Sequence, residues 1–123
     1  MSRPIDASTL AARLAGARPP LVIDVRRRPA YEAAHAALPR ALRGPPETVE
    51  RWGRDLRSDV PVVVYCVHGH DVSQGVAEAL ESLGFDAAFL RGGFEGWIEG
   101  GRPIAPKPSG STPWVTGARP NNA

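Results

Sequence analysis

The chain has 123 residues, one cysteine and a formal net charge of +2. This length fits one domain, and a single cysteine excludes an internal disulfide. The basic residues are dispersed and form no stripe with interleaved aromatic residues, so we expect no nucleic-acid partner. The N-terminus lacks an apolar signal core, and no apolar run is as long as a membrane span. These features predict a cytoplasmic protein without a membrane partner.

The predicted elements alternate between strands and helices along the chain. Short apolar runs predict strands at Ile5, Leu21 to Val25, Val62 to Tyr65, and Ala87 to Leu90. Helical spacing with proline starts and glycine stops predicts helices that end near Gly16, cover 30–35 and 47–57, end at Gly84, and cover 94–98. Residues 38–42 receive no assignment. This order predicts an α/β domain whose central, mostly parallel sheet has helices on both faces.

The composition changes at Gly100, after which Gly, Pro and Ser dominate. Such a segment cannot supply a packed core. We therefore predict a domain over residues 1–104 and a tail or linker over residues 105–123. Trp114 and Val115 form an apolar island in this tail, which could contact a neighbouring domain or a protein partner.

Cys66 follows a predicted buried strand directly and opens a loop that leads into a helix. Ligands bind at the carboxyl ends of strands in open α/β sheets, where loop amides and a helix N-terminus favour an anion. A thiol in such surroundings ionises more readily. Gly69 tolerates positive φ, so successive amides of the loop could turn toward one point. Cys66 is therefore a candidate nucleophile, and the alternative is a structural cysteine that ends a core strand.

Four segments together resemble the single-domain rhodanese family, a family of sulfurtransferases, over roughly residues 5–104. They are Asp24-Val25-Arg26, Tyr31-Glu32 with His35, the VVVYC strand with the six-residue loop Cys66 to Asp71, and Gly92-Gly93-Phe94-Glu95-Gly96-Trp97. All four occur in the family's order and at suitable intervals. The resemblance implies a rhodanese-like fold.

The resemblance also implies a reaction. Cys66 would accept a sulfane sulfur from thiosulfate or another donor and become a persulfide. It would then pass the sulfur to cyanide or a thiol, without a cofactor. The partners would be small sulfur-containing anions or thiols. The implied substrate-binding residues are Val67, His68, Gly69, His70, Asp71, Val72 and Arg26. Asp24 and His35 would be structural residues near the site.

Three features depart from the family pattern. Many active members carry Arg or Lys where this chain has Asp71, whose charge would repel thiosulfate. Val72 stands where a hydroxyl residue is frequent, with Ser73 one position later. The segment 36–41 is one residue longer than usual. His68 and His70 could substitute as donors in the loop.

Other interpretations of the loop predict different chemistry. A cysteine phosphatase needs Arg after five intervening residues, and that position is Val72. Cys66, His68 and His70 alternate and would face one way on an extended segment, which suits zinc or copper, although no fourth ligand is evident and we predict no metal. A non-catalytic binding or regulatory module is a third hypothesis. Residues 111–120 weakly resemble the opening of a chromate-resistance regulatory module, and similar CVHGH loops occur in that context.

Overall fold

The computed structural model describes residues 2–56 and 58–107. Within them the strands are β1 (Arg3–Ile5), β2 (Leu21–Asp24), β3 (Ala36–Ala37), β4 (Leu42–Arg43), β5 (Val62–Tyr65), β6 (Ala87–Leu90) and β7 (Ala105–Pro106). The helices are α1 (Ala7–Leu14), α2 (Arg28–Ala33), α3 (Val49–Asp55), α4 (Asp71–Ser82) and α5 (Gly93–Glu99), and a 3-10 helix, Pro46–Thr48, precedes α3.

The main sheet has the strand order β1-β6-β5-β2-β4, and every neighbouring pair is parallel. The predicted α/β architecture is confirmed. β5 lies in the middle and all four of its residues are buried, as expected for a strand that is covered on both faces. Cys66 therefore leaves the sheet at the centre of its carboxyl edge.

Helices cover both faces of the sheet, and alternate side chains of β5 point into a separate core on each face. Val62 and Val64 point into one core, which contains Trp52 of α3 and Leu80 of α4. Val63 and Tyr65 point into a second core on the opposite face, with residues of α1 and α5 that include Leu10 and Trp97. Each core packs one pair of helices against the sheet, and this fixes where α4 and α5 begin relative to β5.

Element boundaries differ from the prediction mainly in the helices. The second helix begins at Arg28, with Pro29 in its first turn, and ends at Ala33, because Ala34 is extended. The third begins as a 3-10 helix and ends at Asp55 rather than at residue 57. Of the unassigned stretch 38–42, residues 38–41 connect the short strands β3 and β4, and Leu42 is the first residue of β4.

The domain continues past the predicted boundary at residue 104. β7 pairs antiparallel with β3, and the Lys107 amide donates a hydrogen bond of 2.8 Å to the His35 carbonyl. Residues 105–107 therefore belong to the folded domain rather than to the tail.

Trp114, Val115 and the chromate-type resemblance lie outside the described residues. In the described part of the chain, no helix has the length and apolarity needed to span a membrane.

A buried charge cluster closes the carboxyl end of β2. The Asp24 carboxylate accepts from the Arg26 guanidinium at 2.6 to 3.1 Å, and Arg43 Nη1 lies 3.8 Å from it. All three side chains are at most 3% exposed. Burial opposes ionisation of Arg26, but the hydrogen bonds and charge of Asp24 outweigh it and raise the pKa of Arg26 above its ordinary value. Burial lowers the pKa of Arg43.

We predict that Asp24→Asn destabilises the fold by about 3–5 kcal/mol, because it leaves two buried guanidinium groups without a counter-charge. Urea unfolding followed by tryptophan fluorescence measures the change. Glu32→Gln is the matched control, since it removes an exposed carboxylate that pairs with Arg28 and should cost less than about 1 kcal/mol. Equal losses in the two variants would contradict the role given to Asp24.

Candidate active site

Cys66 lies directly after β5, with 6% of its surface exposed. Its Sγ donates a hydrogen bond of 3.2 Å to Oγ of Ser73, a fully buried residue in the first turn of α4. When the thiol ionises, the Ser73 hydroxyl can rotate and donate to the thiolate instead. The sequence did not identify Ser73 as a site residue. The sequence feature that could have identified it is its position as the third residue of α4, from which a side chain can point back toward the loop.

The loop from Cys66 ends at His70, which is the residue before α4. Gly69 has a φ of +76°, as expected for the glycine of this loop. A Cβ atom there would lie 2.7 Å from the Leu90 carbonyl oxygen, so only glycine fits. The Gln74 side chain donates to the Gly69 carbonyl at 3.2 Å and fastens the end of the loop to α4.

The first turn of α5 holds the other end of this loop. The Phe94 amide donates to the Cys66 carbonyl at 2.8 Å, and the Glu95 amide donates to the Val67 carbonyl at 3.0 Å. We call these two hydrogen bonds the clasp. Gly93 permits them, because its φ is +60° and a Cβ atom there would lie 2.6 and 2.5 Å from the same two carbonyl oxygens.

The clasp determines where the loop amides point. In a trans peptide the N–H of one residue points opposite to the carbonyl of the residue before it. The amides of Val67 and His68 therefore face away from α5. Within residues 2–56 and 58–107 neither amide has a hydrogen-bond acceptor, so both are free to bind an anion.

Cys66 opens into a mainly apolar pocket of about 330 Å³. Its walls are Arg27, Ala30, Val67, His68, His70, Asp71 and Val72. Five of the six predicted loop residues line the pocket with Cys66. Gly69 does not line it, and instead lies against β6 and the start of α5. The sequence did not predict Arg27 as a site residue, because the matching motif Asp24-Val25-Arg26 ends one residue before it.

Arg26 does not line this pocket, contrary to its predicted part in substrate binding. It is 2% exposed, pairs with Asp24, and donates to the Ala36 carbonyl at 3.1 Å. Its guanidinium carbon lies 4.6 Å from the centre of the Phe94 ring. These contacts occupy both the charge and a planar face of the guanidinium, so Arg26 packs under the residues of the site as a structural residue. An ion pair joins it to Asp24, the predicted structural residue, with 2.6 Å between Nη2 and Oδ2.

His35 lies at the start of the β3–β7 pairing. Its carbonyl accepts from Lys107, while its side chain is exposed and absent from the pocket walls.

His68 and His70 approach each other, with ring centres 6.3 Å apart. Across the part of the chain that the structure describes, no group of three or more His, Cys, Asp or Glu residues is placed to hold a metal ion.

The clasp leads to a prediction about two glycines of one helix. Gly93→Ala should destabilise the protein by about 2–5 kcal/mol, because the alanine combines a positive φ with contacts below 3 Å to backbone oxygens. Gly96→Ala is the matched control: its Cβ meets nothing within 4 Å, and alanine favours the helix by up to about 1 kcal/mol. Thermal unfolding measures stability, and the rate of Cys66 alkylation reports on the loop. The same stability and alkylation rate in both variants would contradict the clasp.

Comparison with known proteins agrees with this geometry. The sequence matches the Rhodanese-like domain family over residues 6–100. It is 36% identical over 75 residues to the thiosulfate sulfurtransferase GlpE of Tolumonas auensis, which covers 60% of this chain and 68% of that protein.

Solved structures give the same result. A rhodanese-related protein from Thermoplasma volcanium superposes with a TM-score of 0.73 and 27% identity, covering 84% of this chain and 97% of that one. A rhodanese homologue from Thermus thermophilus gives a TM-score of 0.60 and 30% identity, over 76% and 99% of the two chains. Since the family match spans well over half of the sequence, the chain belongs to the rhodanese-like domain family.

Proposed function

We propose that this protein is a sulfurtransferase that carries sulfane sulfur as a persulfide on Cys66. The main support is the position of Cys66 on the wall of a pocket, with its Sγ hydrogen-bonded to Ser73 and the amides of Val67 and His68 without an acceptor in the described residues. Membership in the rhodanese-like family and similarity to a thiosulfate sulfurtransferase support the same reaction type.

The reaction has two steps. In the first, the Cys66 thiolate attacks the terminal sulfur of the donor, and the donor's bond to that sulfur breaks. Sulfite leaves when the donor is thiosulfate, and Cys66 keeps a persulfide whose outer sulfur carries the negative charge. In the second, a thiolate or cyanide attacks the outer sulfur, which departs with the acceptor and restores the Cys66 thiolate.

The protein groups stabilise charge and need no cofactor in this scheme. The thiolate and the persulfide are both anionic, so oriented amides and the N-terminus of α4 favour each of them. Ser73 can donate one hydrogen bond to the inner sulfur. Asp71, the first residue of α4, opposes an anionic donor, because it adds a negative charge to the pocket wall.

Intact-mass measurement tests this function directly. The protein is incubated separately with thiosulfate, inorganic polysulfide and glutathione persulfide. We expect a gain of one sulfur atom that dithiothreitol removes and that a Cys66→Ser variant does not show. No gain with any of the three donors would overturn the proposal and leave a non-catalytic rhodanese-like module as the better description.

A second prediction concerns Asp71 and thiosulfate. Asp71→Arg should raise the rate with thiosulfate at least about fivefold, since it replaces a repulsive charge with an attractive one worth about 1 kcal/mol at the surface. Steady-state thiocyanate formation from thiosulfate and cyanide measures this. Glu78→Arg is the matched control, because it makes the same charge change on an exposed residue of α4 outside the pocket. An equal rise in the control, or no rise at all, would show that Asp71 does not govern donor choice.

A further inference from the structure

The three consecutive arginines after β2 have different surroundings. Arg26 pairs with buried Asp24, and Arg28 Nε donates to Glu32 at 2.9 Å. Arg27 is exposed, lines the Cys66 pocket, and has no ion-pair partner within residues 2–56 and 58–107. Of these three cations, Arg27 is therefore the one that can serve a ligand of this pocket.

Asp71 supplies the opposite charge to the same pocket. It is exposed and begins α4, and the described part of the chain contains no cation within ion-pair distance of it. Ala30, Val67 and Val72 provide the apolar wall. His68 and His70 are the remaining titratable residues that line it with Cys66.

This combination fits an organic ligand better than a small dianion. A pocket of about 330 Å³ is at the lower end of the size range of small-molecule sites. An apolar wall favours methylene groups, which thiosulfate lacks. The unpaired cation and anion on the wall complement a ligand that carries one charge of each sign.

We propose that Arg27 and Asp71 select a zwitterionic acceptor, a low-molecular-weight thiol that bears both a carboxylate and an ammonium group. This inference rests on the proposed sulfurtransferase function and names the acceptor class of that site. Arg27 binds the carboxylate, Asp71 binds the ammonium group, and the apolar wall covers the carbon chain between the charges and the sulfur.

The transfer step is balanced without a further reactant. The acceptor thiol loses its proton to solvent, and its thiolate attacks the outer sulfur of the Cys66 persulfide. A new bond forms between the acceptor sulfur and the outer sulfur, and the sulfur–sulfur bond on Cys66 breaks. The products are the acceptor persulfide and the Cys66 thiolate, so one thiol is oxidised to a persulfide and the other is restored.

Four thiols with different charges test the selection. The Cys66 persulfide is prepared with inorganic polysulfide, freed of excess reagent, and mixed with cysteine, cysteamine, 3-mercaptopropionate or 2-mercaptoethanol. Loss of one sulfur atom from the intact protein gives the single-turnover rate. Each variant is compared with the unmodified protein for the same thiol, which cancels differences in the reactivity of the thiols.

The two substitutions should slow different pairs of thiols. Arg27→Gln should slow cysteine and 3-mercaptopropionate, the thiols with a carboxylate, about two- to fivefold, as expected for an exposed ion pair. Asp71→Asn should slow cysteine and cysteamine, the thiols with an ammonium group, by a similar factor. Neither variant should slow the uncharged 2-mercaptoethanol. Arg28→Gln and Glu78→Gln are matched controls outside the pocket and should leave all four rates unchanged.

Failure of this inference is distinct from failure of the function. If the persulfide forms but each variant changes all four rates by one common factor, or changes none, the charge selection is wrong and the sulfurtransferase remains. If no persulfide forms in the unmodified protein, the proposed function is wrong and the acceptor selection falls with it.

Discussion

The hydrogen bonds from the Phe94 and Glu95 amides to the Cys66 and Val67 carbonyls fix the loop that carries the thiol. They bring two backbones closer than a Cβ atom at position 93 would allow, and Gly69 makes a similarly close approach to the backbone of Leu90, Gly92 and Gly93. Main-chain atoms alone make these bonds. The side chains at the other loop positions therefore take no part in these two bonds.

The buried charge cluster connects this loop to the rest of the sheet. Arg26 holds Asp24 at the end of β2, and its guanidinium lies against Phe94 of α5, the residue that donates to Cys66. It also lies 5.6 Å from the ring centre of Tyr65, the last residue of β5. The cation thus packs between the strand that precedes the thiol and the helix that fixes its loop. Arg26 is therefore close to Cys66 in the fold, yet its guanidinium is buried against these rings and does not line the Cys66 pocket.

Local signals predicted most of the fold, and long-range contacts account for what was missed. The run VVVY identified β5 and placed Cys66 at its carboxyl end, because a buried strand needs only a short apolar segment. β3 and β7 have two residues each and are about 70 positions apart, so no periodicity could reveal their pairing. Arg26 and Arg27 are adjacent in sequence but have opposite environments, which depend on where Asp24 and α2 lie. The contact of Ser73 with Cys66 likewise depends on the start of α4.

Main-chain and side-chain groups of the pocket have opposite effects on a negative charge. The loop amides and the N-terminus of α4 favour a negative charge on the sulfur. Asp71 stabilises the same helix end, yet it lowers the attraction of the pocket for an additional anion. In the proposed reaction, a persulfide held by these amides would tolerate this carboxylate, because dipoles close to the sulfur would neutralise its charge. A free dianion approaching through the pocket cannot avoid it. In the proposed function the loop thus separates two tasks: the backbone would stabilise the sulfur, and the pocket side chains would select the molecule that reaches it.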